Sequence, residues 1–299
     1  MADSDNYSRG LLLTAIGGMA LTIDIPLIRL AQGDHWPILM VRSALTVIAG
    51  VTIWLVWRAF SRNVPPLIPG WSGLAVASLY AISAITFMTA VYNTTTANLV
   101  FILAFTSMFA ALLSWFVLKE RPRPATLMAM GIMFVGILII VGDSIGRGNL
   151  LGDLAALSSA FTIALAITIT RRSGRDMGFT ALVAVFIPFL LATYMTAQTG
   201  YRIDAPWWIA LNGGLVIPLA FFCLANGPKY LPGPEVAMFY LLETVLAPLW
   251  VWLIFNEVPT TASLIGGAIL VTTLIVHSLW QLHLGRRRRR AVGTIRHPV

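Results

Sequence analysis

Glu243 is the residue whose position most demands a chemical explanation. It falls near the middle of the apolar stretch 234–256. A charge at that depth in a membrane helix costs roughly 2.5–3.5 kcal/mol on insertion scales, so it should face a cavity or a partner. Tyr240 and Ala247 share its helical face at i−3 and i+4. Two readings stand side by side: a site for a ligand amine or a proton, and a structural hydrogen bond to a neighbouring helix. Asp24 and Arg42 form a second constellation. Asp24 lies six residues before Leu30, and Arg42 six residues after Trp36. At 1.5 Å per residue both sit roughly 9 Å below one face, where antiparallel neighbours can pair. Arg42 could hold a ligand carboxylate through its planar fork. It could equally form a structural pair with Asp24, or snorkel outward; a buried pair is in itself weak evidence for stability.

Tyr80, midway along the third apolar stretch, and Phe101, early in the fourth, are candidate cavity walls beside the commoner reading as packing. Ser158, Ser159, Thr162 and Asn212 read as polar glue between helices. Gly17-Gly18, Pro26, Pro188 and Pro218 are candidate hinges. Asp153 and Glu235 each open a helix, where the positive dipole end favours a carboxylate. His277 reads as a packing residue, and the four histidines lie at loops, ends and tail, which argues against a metal site. The single cysteine, Cys223, excludes a disulfide framework within one chain. No cofactor motif is present, and no G-x-x-x-x-G-K-[ST] run that would bind ATP.

The elements that must position these residues are membrane helices. The chain is 58% hydrophobic and 11% charged over 299 residues. Ten apolar spans are expected, near 9–30, 36–58, 71–92, 96–118, 125–142, 150–171, 179–199, 206–227, 234–256 and 260–282. Backbone in lipid must satisfy its own polar groups, so helices are the economical choice. Placing both termini in the cytoplasm puts 16 of the 20 Lys and Arg residues on the cytoplasmic side. Only Arg29, Arg147 and Arg202 fall opposite, and Arg42 lies inside a span. The net charge of +8 therefore reflects loops facing an anionic surface, not nucleic acid. The short acidic N-terminus lacks the features of a cleaved signal peptide. The basic tail 283–299, with Arg286 to Arg290, should meet anionic headgroups, with disorder beyond it.

The chain also repeats. Trp115-Phe-Val-Leu-Lys-Glu120-Arg-Pro122 returns as Trp252-Leu-Ile-Phe-Asn-Glu257-Val-Pro259, shifted by 137 positions. The same shift pairs Ala110 with Ala247 and Leu112 with Leu249. Five spans per copy is an odd number, so the second copy should enter the membrane from the other side. The basic residues beside Glu120, and their absence beside Glu257, agree. Inverted repeats of this kind are a recurring plan of secondary transporters, with substrate held between the halves.

The repeated unit resembles the EamA domain of the drug/metabolite transporter superfamily. The resemblance rests on Ala237 to Glu257 followed by Gly266-Gly267, and more weakly on Leu103 to Glu120 followed by Gly131 and Gly136. Pro248 matches a proline of that family, where the first copy has Ala111. The resemblance implies an all-α integral membrane fold: ten transmembrane helices as two inverted five-helix repeats, 9–142 and 150–282, around a central cavity. It implies export of amino acids, aromatic ones among them, across the bacterial inner membrane. It keeps Glu120 and Glu257 as structural markers of their turns. Site candidates are Asp24, Arg42, Tyr80, Phe101, Tyr240 and Glu243, with no metal and no cofactor. Expected partners are a small-molecule substrate and the lipid bilayer, with the protein a monomer or homodimer. Transport of another metabolite or drug class is the alternative. An intramembrane enzyme or a channel competes less well, since no catalytic cluster or pore-forming assembly is specified.

Overall fold

Three of the four interruptions in the long helices lie just ahead of a proline. The computed structural model of the protein describes residues 2–61, 64–122, 124–226 and 233–293. Side chains at 2–7, 146, 225, 233–238, 240 and 281–293 are outside that description. The first apolar stretch is split into α1 (Ala2–Thr22) and α2 (Asp24–Leu30). Pro26 lacks the N–H that would bond the Thr22 carbonyl, so the ladder fails there. In the same way Pro188 falls four residues after the end of α9 (Thr180–Ala184), ahead of α10 (Phe186–Thr199). Pro218 falls four residues after Gly214, inside a π segment (Asn212–Val216) between α11 (Pro206–Leu211) and α12 (Ile217–Asn226).

The other elements are α3 (His35–Phe60), α4 (Gly70–Asn93), α5 (Thr96–Ala104), α6 (Thr106–Leu118), α7 (Pro124–Arg147), α8 (Leu150–Ser173), α13 (Gly233–Phe255) and α14 (Thr261–Gly293). The break between α5 and α6 at Phe105 has no proline behind it. Pro248, by contrast, lies inside the continuous α13. The proline of the second copy therefore does not interrupt its helix. The expected tail from 283 is helical as far as Gly293, and residues 294–299 lie outside the described part.

Among the described residues the chain is all-helical, with one isolated bridge between Gly33 and Ile203. Among those residues nine stretches are long and apolar enough to cross a membrane, and they match nine of the ten expected spans. At the remaining one the described apolar helix is the shorter stretch Leu241–Phe255 of α13. Large apolar side chains such as Phe60, Trp71, Phe116, Met128, Ile145 and Leu253 stand exposed. Water would not tolerate so wide an apolar surface, whereas lipid favours it.

Packing pairs early helices with late ones. α4 and α6 lie on α8, α1 lies on α12 and α13, α3 on α10, and α7 on α14. The main core lies among α2, α3, α5, α7 and α14, around Ile25, Leu39, Leu99, Ile102, Met133 and Leu270. At the α7–α14 crossing two glycines meet: a Cβ on Gly266 would lie 2.6 Å from the Gly136 carbonyl oxygen. Only glycine permits backbones that close.

Both Glu-x-Pro turns are built alike. Lys119 and Asn256, each just before its glutamate, adopt left-handed backbone with φ of 58° and 55°. In the first turn the Glu120 N–H closes back on the Ser114 carbonyl at 3.3 Å, satisfying one of the helix's last acceptors.

Candidate functional site

Asp24, Arg42 and Asn212 form one closed knot. Asp24 opens α2 directly after the break at Ile23. Arg42 lies in the second turn of α3, and Asn212 opens the π segment. Arg42 Nη2 donates to Asp24 Oδ1 at 3.1 Å and Oδ2 at 2.9 Å. Arg42 Nε donates to Asn212 Oδ1 at 3.0 Å. Asn212 Nδ2 donates to Asp24 Oδ1 at 2.7 Å and to the Asp24 carbonyl at 3.1 Å. The Arg42 and Asp24 side chains are only 11% and 5% exposed. Charges this buried need such hydrogen bonding to offset their lost hydration.

The backbone explains how Asn212 gets there. A Cβ on Gly213 would lie 2.5 Å from the Arg42 carbonyl oxygen, so the π segment can lie on α3 only with glycine at that place. Thr46 Oγ1 then donates to the Gly213 carbonyl at 3.0 Å, which fastens the contact. π segments often mark functional positions in helices.

Two features of the knot are unspent. Arg42 Nη1 has no hydrogen-bond partner among the described residues. Its guanidinium lies 5.4 Å from the centre of the Phe87 ring. Glu243, partly buried on α13, interacts electrostatically with both Asp24 and Arg42. No described residue donates a hydrogen bond to its carboxyl group. Close by in sequence, Trp250 Nε1 donates to Thr22 Oγ1 at 3.2 Å, tying α13 to the end of α1.

The structure thus brings Asp24, Arg42 and Glu243 together. Two of the aromatic candidates are packed among apolar side chains. Tyr80 packs against Val76, Ala166 and Met177. Phe101 is a core residue, with its ring pressed on Gly267 of α14. The side chain of Tyr240 lies outside the described residues. Asn212, read from sequence as helix glue, is a full member of the knot. Ser159 does behave as glue, bonding Ser83 at 2.9 Å. Thr126 Oγ1 and His277 Nε2 lie 3.0 Å apart and join α7 to α14.

Asp153 stands in the first turn of α8, as expected, and has a tertiary role besides. It is fully buried and accepts from Thr94 Oγ1 at 2.5 Å and from Asn98 Nδ2 at 3.4 Å. Asn98 Nδ2 also donates to Ser144 Oγ at 3.0 Å, and its Oδ1 accepts from Ser263 Oγ. Four spans meet in this polar cluster. Glu120 and Glu257 also do more than mark turns. Glu257 pairs with Arg29 and accepts from the Thr96 N–H at 2.8 Å. Glu120 pairs with Arg171 at 2.9 Å, and Arg171 donates to Ser114 Oγ at 3.0 Å.

At the Arg29 end an open cleft of about 660 Å³ is lined by Ile28, Arg29, Asp34, Tyr92, Arg202 and Phe255. A second hollow of about 380 Å³ shares Arg29 and Tyr92 and reaches Glu257. Among the described residues no three His, Cys, Asp or Glu gather as a metal site.

Comparison with known proteins fits these features. A curated riboflavin transporter from Vibrio cholerae serotype O1 is 24% identical over 185 residues, 61% of this chain. The aligned part spans 62% of that relative's length. A solved crystal structure of a protein, 18% identical, covers 93% of this chain and 99% of its own with a TM-score of 0.63, which shows a shared fold. The EamA-like transporter family matches residues 8–142 and 150–279. With nearly the whole length matched and a helical membrane fold to carry it, this chain belongs to the EamA-like transporter family.

Proposed function

We propose that this transporter of small molecules exports amino acids, aromatic ones included, across a bacterial inner membrane. It does so by alternating access between 9–142 and 150–282, arranged as inverted halves of five spans each with both termini in the cytoplasm. One observation carries the substrate reading. A cationic donor with an unspent nitrogen, Arg42 Nη1, shares an electrostatic environment with a carboxyl group, Glu243, that has no hydrogen-bond donor among the described residues. An α-amino acid is complementary to that arrangement, its carboxylate meeting the guanidinium and its ammonium the carboxyl group. Phe87 over Arg42 adds an apolar wall.

The inverted arrangement is supported by how the helices pair. Exchanging the first span of each half, the second of each, and so on turns the α4–α8 contact into α12–α1, and α6–α8 into α13–α1. It maps α3–α10 and α7–α14 onto themselves. The twin left-handed residues Lys119 and Asn256 sit at equivalent places.

Counterflow in sealed proteoliposomes, with labelled amino acids, sugars and riboflavin, tests the reading. Saturable exchange of amino acids is the expected result. Exchange of riboflavin alone would move the site to the substrate named for the Vibrio relative. A non-saturating ion leak would mean a channel, and chemical alteration of the solute an enzyme.

A further inference from the structure

The two Glu-x-Pro turns each end in an ion pair, and the two pairs are equivalent under the exchange of halves. Glu120 follows the fourth span and meets Arg171 at the end of the sixth. Glu257 follows the ninth and meets Arg29 at the end of the first. Fourth and sixth span ends lie on one face of the membrane, first and ninth on the other. Each pair therefore ties one half to the other, one at each face. Glu257 has also acquired a backbone anchor, the Thr96 N–H.

The pairs are not equal. Arg171 and Glu120 are 52% and 55% exposed, whereas Arg29 and Glu257 are 24% and 21% exposed. Water and salt screen the first pair far more than the second. Arg29 also lines both hollows at its end, so it stands where an exit path would open.

We propose that Glu120–Arg171 and Arg29–Glu257 are the latches of the cytoplasmic and external gates, and that their unequal burial makes the cytoplasmic latch release first. The empty protein then samples cytoplasmic opening more often than external opening and loads from inside. This rests on the inverted topology proposed above. Rocking of two halves requires that one cross-tie break while the other holds; two cross-ties of graded strength set which side opens at rest. It gives the carriers of the Glu-x-Pro repeat a role in direction, besides their role in the turn.

The test uses a central reporter, Phe87→Cys, in full-length protein carrying Cys223→Ser. A membrane-impermeant thiol reagent is applied to right-side-out and to inside-out vesicles. Glu257→Gln should raise labelling from outside several-fold, and Glu120→Gln should raise labelling from inside by at most about fivefold, the reach of an exposed pair. Unchanged labelling in either variant, or a rise at the same face for both, overturns the latch proposal. If a variant fails to reach the membrane, the reporter protein with both pairs intact is read at low and high salt. Inside labelling should rise with salt while outside labelling stays level; any other pattern overturns the asymmetry. Lys119→Cys and Asn256→Cys separately report topology. If both label from one face the inverted reading fails; if they label from opposite faces while the latch variants do nothing, the latches alone fail.

Discussion

Asn212 grips Asp24 twice, at its carboxylate Oδ1 and at its own backbone carbonyl, 2.7 and 3.1 Å away. One amide thereby fixes both the side chain and the broken backbone at the start of α2. It also accepts from Arg42 Nε, so its loss would strand a buried guanidinium nitrogen. Asn212→Leu should destabilise the protein by about 1–3 kcal/mol, the range for a buried polar group left unpaired. Thermal unfolding in detergent, followed alongside counterflow, measures this; an unshifted midpoint would mean that the knot carries no stability.

Arg42→Lys should weaken transport of zwitterions, because an ammonium lacks the planar fork that now serves Asp24 and Asn212 together. The double variant Asp24→Asn with Arg42→Gln removes both charges, keeping the shape at position 24 and leaving a shorter polar side chain at position 42. It should remain folded and lose zwitterion exchange. Normal exchange by that protein would take Arg42 out of the ligand set and leave it a purely structural pair.

Glu243→Gln should weaken amino-acid exchange, because an amide gives the substrate ammonium no counter-charge, and should also change the pH dependence of net efflux, since a carboxyl group can carry a proton where an amide cannot. Thr106, its repeat partner by the 137-residue shift, donates to the Leu103 carbonyl instead and offers no such group. Efflux and counterflow across a range of pH make the comparison. Superimposable pH profiles for the two proteins would favour a uniporter.

Asn98→Leu should cost about 1–3 kcal/mol or more, because Asp153, Ser144 and Ser263 all lose a partner at once. Asp153→Asn keeps shape and should cost less. If the two variants unfold at the same temperature, the cluster around Asn98 is not a structural hub.

The spans were legible because lipid imposes one rule, apolar length, that a single sequence displays openly. The Asp24–Arg42 pair was legible for a similar reason: equal depth on antiparallel neighbours leaves few partners to choose from. Asn212 was not, because its place depends on a π segment made possible by Gly213 and the missing N–H of Pro218. The sequence does hold that signal, a polar residue followed by Gly-Gly and then Pro, yet nothing in it names α3 as the surface approached. Arg29 and Arg171 escaped notice for another reason. Each stands at a span end, where topology explains an arginine without any partner, and only the fold brings each beside its glutamate. Asp153 was legible as an acidic residue in the first turn of a helix, whereas its partners Thr94 and Asn98 become visible only in the fold, because nothing local in the sequence names them.

The crossing of α7 and α14 at Gly136 and Gly266 restricts the kinds of motion open to the protein. Backbones in direct contact cannot slide lengthwise by a turn, since Ile140 and Leu270 stand beside the crossing and would strike the facing chain. They can pivot, because glycine leaves nothing protruding at the point of contact. The seam is therefore an axle rather than a sliding bearing. A single alanine at Gly266 would meet the Gly136 carbonyl and should force the seam apart, disturbing the whole cycle without touching the substrate.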